Sequence, residues 1–192
     1  MMRVLLIDFY DSFTYNIQHY FINIGCEVDV ILDDKLDLAL LHDYDCVVLS
    51  PGPGLPSEKK NIFSVITLCR NSIPILGICL GMQAISEVLG GKLVNQSEVK
   101  HGRMETININ SIGQLFKGLP EKINVGLYHS WKVEGLEDKF VSAISASGVV
   151  MAIESKDELL FGVQFHPESV LTQEGEQILS NFVQYLKNLK SI

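Results

Sequence analysis

Cysteines are few in this chain, and none is spaced for a bridge or a metal site. Cys26, Cys46, Cys69 and Cys79 are scattered through 192 residues with no Cys-x-x-Cys pair, so no disulfide framework is expected. Basic residues are also scarce. Fifteen Lys and Arg against 23 Asp and Glu leave a net charge of −8, which argues against nucleic acid as a partner. No apolar run approaches the roughly 18 residues needed to span a membrane. Met1 to Ile7 is too short for a secretory signal and runs directly into Asp8 and Asp11. HExxH and HxxEH metal motifs, the GxGxxG dinucleotide loop, the GxxxxGK phosphate loop, internal repeats and low-complexity linkers are all missing. The expectation that remains is a cytoplasmic, reduced chain without a metal of its own, folded as a single domain over residues 1–192. Its 47% hydrophobic and 20% charged content is that of an ordinary globular protein.

What is present centres on Ile75-Leu-Gly-Ile-Cys79-Leu-Gly-Met-Gln83. The branched apolar run Ile73 to Ile78 reads as a buried parallel strand. It stops at a cysteine between glycines, and a helical pattern (Met82, Ile85, Val88, Leu89) begins at once. A nucleophile on such a strand-to-helix turn sits in a tight bend with small flanking residues. The amides and partial positive charge of the new helix then favour a thiolate. The competing reading of Cys79 is a buried structural cysteine in a βα turn.

Upstream, Arg3 to Ile7 reads as a strand, followed by a helix carrying Ile17, Tyr20, Phe21 and Ile24, with Ser12 or Asp11 as its cap and Gly25 as its end. Strands over Val28 to Ile31 and Cys46 to Leu49, with a short helix from Asp37 to His42 between them, give β-α-β-α-β order. That order implies a parallel sheet with right-handed crossovers. Ser50-Pro-Gly-Pro-Gly54 is too rich in proline and glycine for helix or central strand. It forms a stiff loop whose amides can approach a ligand, at the same sheet edge as Cys79. Helices are expected over Asn61 to Arg70 and from the elbow through Leu89.

Past Gly90, short alternating segments (Lys92 to Val94, Glu105 to Ile109, Ile123 to Tyr128, Phe140 to Ser145, Val149 to Glu154) read as antiparallel strands, in a second sheet or an edge extension. The expected class is therefore α/β: an open, mostly parallel, doubly wound sheet with flanking helices plus a small antiparallel sheet. Leu159 to Phe165 is a further strand, and Gly175 to Leu189 a helix with one apolar stripe. His166 ends that strand just before Pro167, and Glu168 follows closely enough to hold a ring nitrogen. A cysteine nucleophile needs a base that also returns a proton, and a histidine oriented by a carboxylate meets that need. His19, His42, His101 and His129 read individually as surface or packing residues.

Gly77-Ile-Cys-Leu-Gly-Met-Gln83, Pro51-Gly-Pro-Gly54 and His166-Pro-Glu168 together resemble the class I (triad) glutamine amidotransferases. Asp11-Ser-Phe-Thr-Tyr-Asn16 and Tyr128-His-Ser130 are similar to the small subunits of anthranilate synthase and aminodeoxychorismate synthase. The resemblance implies that Cys79, His166 and Glu168 hydrolyse L-glutamine to glutamate and ammonia, with the backbone amides of Leu80 and Gly52 as oxyanion hole. It also implies Gly52, Pro53, Gly54, Gln83, Ser130 and Trp131 as substrate-binding positions, and, as partner, the large subunit of a chorismate-using synthase. The chain itself needs no cofactor, and magnesium would belong to the synthase. Four positions depart from the family pattern: Phe9, Met82, Trp131, and Arg103 within His101-Gly102-Arg103. Other readings are the glutaminase of a different synthase, a catalytically silent subunit of the same fold, and a redox or stress protein with an elbow cysteine.

Overall fold

A computed structural model describes residues 1–110 and 113–190, with the side chains of residues 97–101 outside that description. Strand β1 (Met2–Asp8) leads through α1 (Thr14–Asn23) to β2 (Cys26–Leu32), and short 3-10 turns precede β3 (Cys46–Leu49). Helix α2 (Ile62–Cys69), β4 (Ile75–Ile78) and α3 (Leu80–Val88) follow. The second half contains β5 (Lys92–Ile109), β6 (Lys122–Glu134), β7 (Val141–Ser145), β8 (Val150–Ser155), β9 (Leu160–Val163) and α4 (Gly175–Leu189).

Among the described residues these nine strands form one sheet in the order β2-β1-β3-β4-β9-β8-β7-β5-β6. The first five are mutually parallel, and the pairings from β9 outward are antiparallel. The antiparallel strands thus extend the edge of the main sheet, and no second sheet forms among the described residues. Lys92 to Val94 and Glu105 to Ile109 also prove to be ends of one long strand, β5, whose register against β6 shifts between Asn95 and Lys100 and again between His101 and Arg103.

Period-two alternation explains why the central strands are apolar throughout. Val4, Leu6, Cys46, Val48, Leu76 and Ile78 join the core beneath α1 and α4. Their neighbours Leu5, Ile7, Val47, Leu49 and Ile75 join the core beneath α2 and α3. Helix α4 buries Ile178, Leu179, Phe182, Val183 and Leu186 of the apolar stripe expected from the sequence, whereas Leu189 at its end is exposed.

The start of α1 differs from expectation. Its N-cap residue is Phe13, which makes no side-chain cap bond. Buried Asp8 does the anchoring: its Oδ1 accepts from Tyr10 N (2.8 Å), Asp11 N (3.1 Å) and Thr14 Oγ1 (2.8 Å). Asp11 accepts from Phe13 N, at 2.8 Å. The carboxyl ends of β1, β3, β4 and β9 all open at one edge. Because β1 lies between β2 and β3, strand order reverses there, which is where open α/β sheets bind ligands.

Candidate active site

All four residues of β4 are buried, and the chain then turns through Cys79 at φ 52° and ψ −100°, the residue that caps α3. A positive φ at a non-glycine residue is strained, and such strain persists only where the surroundings enforce it. The two flanking glycines are required on steric grounds. A Cβ on Gly77 would overlap the Gly81 backbone, and one on Gly81 would lie 2.6 Å from Leu49 Cβ. The elbow is tied to the neighbouring strand by Cys79 N donating to Val163 O at 2.8 Å.

Beside the elbow, buried Ser50 accepts from Phe9 N (3.0 Å) and donates to Pro51 O (2.7 Å), fixing the start of the proline-glycine loop. Gly52 is clasped so closely that an added Cβ would stand 2.7 Å from Phe9 Cβ and 2.9 Å from Leu80 Cδ2. Gly54 takes φ 75°, and Glu58 accepts from Leu55 N at 3.0 Å to close the loop.

The third segment follows β9. His166 N donates to Gly126 O (3.1 Å), and His166 O accepts from Thr172 Oγ1 (2.7 Å). These bonds hold the backbone on both sides of the ring. Nδ1 lies 2.6 Å from Glu168 Oε1, with both side chains almost wholly buried. Tyr128 meets the ring edge-on at 4.8 Å between centroids, and Phe13 does so at 5.5 Å. Burial works against a charged imidazole, yet hydrogen bonds and charge interactions with Cys79 and Glu168 outweigh it and raise the His166 pKa to about 10.

Cys79 and His166 share a cavity of about 390 Å³ with Gly52, Pro53, Pro51, Tyr10, Asp11, Ser12, Phe13 and Tyr128. Of the residues singled out in the sequence, Cys79, His166, Gly52 and Pro53 line this space, with Glu168 behind the histidine and Leu80 against Gly52. Gln83 is buried nearby, its Nε2 donating to Trp131 O (3.3 Å) and Gln164 Oε1 (3.2 Å). Gly54, Ser130 and Trp131 are not among the lining residues. Sequence reasoning assigns no role to Tyr10, Phe13 or Gln164. The last of these donates to Cys79 Sγ at 3.6 Å. The one local signal for it is a polar residue closing an apolar strand. Of the departing positions, Phe9 packs on Gly52, and Met82 fills the space opposite Gly162. The His101 side chain lies outside the described residues. No three His, Cys, Asp or Glu side chains among the described residues converge into a metal-binding group.

A thiol on a strained elbow, beside an imidazole held by a carboxylate, is equipped for acyl transfer through a covalent intermediate. The chain belongs to the class-I glutamine amidotransferase family, whose sequence model matches residues 5–185. Among its relatives it is 37% identical to anthranilate synthase component 2 of Haemophilus influenzae, over 98% of this chain and 100% of that one. It is 43% identical to aminodeoxychorismate synthase component 2 of Escherichia coli, over 94% and 98% respectively. A solved Thermoplasma acidophilum protein, provisionally assigned to GMP synthase, superposes with a TM-score of 0.90. It is 27% identical, with 100% of this chain and 96% of that one covered.

Proposed function

We propose that this chain releases ammonia from L-glutamine and delivers it to a separate synthase subunit that aminates chorismate. The observation that carries the chemistry is the joint exposure of Cys79 and His166 to one cavity, with Glu168 bonded to the far ring nitrogen. The Cys79 thiolate attacks the side-chain amide carbon of glutamine. The backbone amides of Leu80 and Gly52 hold the oxyanion, the role the family resemblance gives them. His166 gives its proton to the leaving nitrogen, ammonia departs, and a γ-glutamyl thioester remains on Cys79. His166 then takes a proton from water, which cleaves the thioester to glutamate and the free thiol. Glu168 keeps the ring oriented in both halves. Gln83 and the backbone at Ser130 and Trp131 receive the α-amino and α-carboxylate groups, with Gly52, Pro53 and Gly54 as further substrate-binding positions.

The choice of chorismate as the acceptor's substrate rests on the two component 2 relatives, which align over nearly the whole of both chains. Free, buried cysteines suit a reducing cytoplasm, and any magnesium would act on the synthase. The test is glutamine-dependent amination of chorismate after mixing the chain with each candidate synthase from the same source. Anthranilate or aminodeoxychorismate supports the proposal and names the branch; both together mean a shared subunit. If neither forms while a GMP-type synthetase is supplied with ammonia, the acceptor is wrong.

A further inference from the structure

Beyond the Cys-His-Glu trio, one buried group touches the reacting sulfur. Gln164 is wholly buried just past β9. Its backbone is anchored by N–H donation to Met151 O at 2.8 Å. The β4–β9 register brings Gln164 level with Cys79, and His166, two residues on, lines the same cavity as the sulfur.

The polarity of the Gln164 amide is dictated by a chain of hydrogen bonds. The Trp131 carbonyl can only accept, so the Gln83 atom 3.3 Å from it is the nitrogen. That nitrogen also reaches Gln164 at 3.2 Å, so the Gln164 atom facing it is the oxygen. The other end of the Gln164 amide, an N–H donor, is therefore aimed at Cys79 Sγ, 3.6 Å away. A donor fixed on a sulfur favours its anionic form, because it stabilises the thiolate more than the thiol. The polarity at the nucleophile is thus set from β6, through α3, to the end of β9.

We infer that Gln164 is a positioning residue that holds and stabilises the Cys79 thiolate, with its amide oriented by Gln83 and the Trp131 carbonyl. The inference rests on Cys79 being the nucleophile of the reading above. It is tested without glutamine, so the two can fail separately. The pH dependence of iodoacetamide alkylation is measured at the Cys79 peptide by mass spectrometry, in the full chain and in two variants. Gln164→Met keeps side-chain length and removes the donor. Gln164→Glu keeps an acceptor for Gln83 and removes the donor. The alkylation midpoint is expected to rise by about one pH unit in Gln164→Met, the scale of a weak bond to an ionised group, and by more in Gln164→Glu. With the synthase present, kcat for glutamine falls by about tenfold while KM stays within about twofold. An unshifted midpoint in either folded variant overturns the inference and leaves Gln164 as a packing residue. Thermal unfolding of each variant establishes that it is folded, and Gln164→Glu serves alone if Gln164→Met is not. A shifted midpoint alongside a wild-type chain that never feeds a synthase would retain this inference and discard the proposed function.

Discussion

Replacing Glu168 with Gln keeps the side chain's shape and leaves an oxygen within reach of His166 Nδ1, but removes the negative charge. The native contact is 2.6 Å, between groups that are almost fully buried. Burial alone would lower the His166 pKa; Cys79 and Glu168 together raise it to about 10. The Glu168 share is isolated by working in a Cys79→Ser background, where the sulfur's contribution is gone and only the histidine proton is counted. A hydrogen bond to a charged group contributes roughly 1.5–3 kcal/mol, and a pKa unit corresponds to about 1.4 kcal/mol. The His166 midpoint should then fall by about one to two units from Cys79→Ser to Cys79→Ser/Glu168→Gln, read by ring nitrogen NMR. The sign for stability follows. A folded pKa above the unfolded value of about 6.5 gives stabilisation present in full below that pH and lost as pH rises through the folded value. The stability of the otherwise native chain to urea should therefore fall as pH rises from about 6.5 towards the folded value of about 10, and the Glu168→Gln change should flatten that slope. In the otherwise native chain with its synthase, Glu168→Gln should lower kcat by about 10²- to 10⁴-fold, the range for general acid-base catalysis. If His166 titrates at the same pH with and without the Glu168 carboxylate, the electrostatic argument for the pair is wrong.

Gly52→Ala puts a methyl group 2.7 Å from Phe9 Cβ and 2.9 Å from Leu80 Cδ2, so the loop must move away from the elbow. A stability loss of about 1–3 kcal/mol is expected. Glutamine turnover should fall further than that loss explains, and unchanged turnover would remove Gly52 from the oxyanion site. Asp8→Ala strips one acceptor from Tyr10 N, Asp11 N and Thr14 Oγ1. It should cost about 2–3 kcal/mol by thermal unfolding and raise KM for glutamine, because residues 10–13 line the cavity.

Local physics explains which elements are legible. The β4 strand, Cys79 turn and α3 helix are written in one stretch by a branched run, two glycines and a change of period. Helix α4 is readable to its ends, at Gly175 and Leu189, because its apolar stripe is uninterrupted. Strand β5 reads as two pieces because polar residues 95–103 break the alternation. There the register against β6 also shifts, between Asn95 and Lys100 and between His101 and Arg103, which no local pattern encodes. Asp8 is missed for the same reason that Ser12 and Asp11 stand out: proximity to a helix start is visible in sequence, and the fold of a loop over a strand end is not. Gln164 is visibly polar, but its partner Gln83 is 81 residues away in the chain.

The two halves of the site meet through the register of β4 and β9. Parallel pairing places Gly77 beside Gly162 and Ile78 beside Val163. Cys79 therefore emerges level with Gln164, and His166 reaches the sulfur from two residues beyond. A slip of one residue along β9 would reverse its faces and take Gln164 out of level with the sulfur. The glycine at 162 keeps that register compatible with the helix above: a Cβ there would stand 2.8 Å from Met82 Cγ. Met82, a departure from the family pattern within the elbow helix, is thus part of what seats α3 on β9. The residue at 82 and the glycine at 162 have to be considered as one steric unit. Enlarging either one would tilt the elbow before it altered any group that touches glutamine.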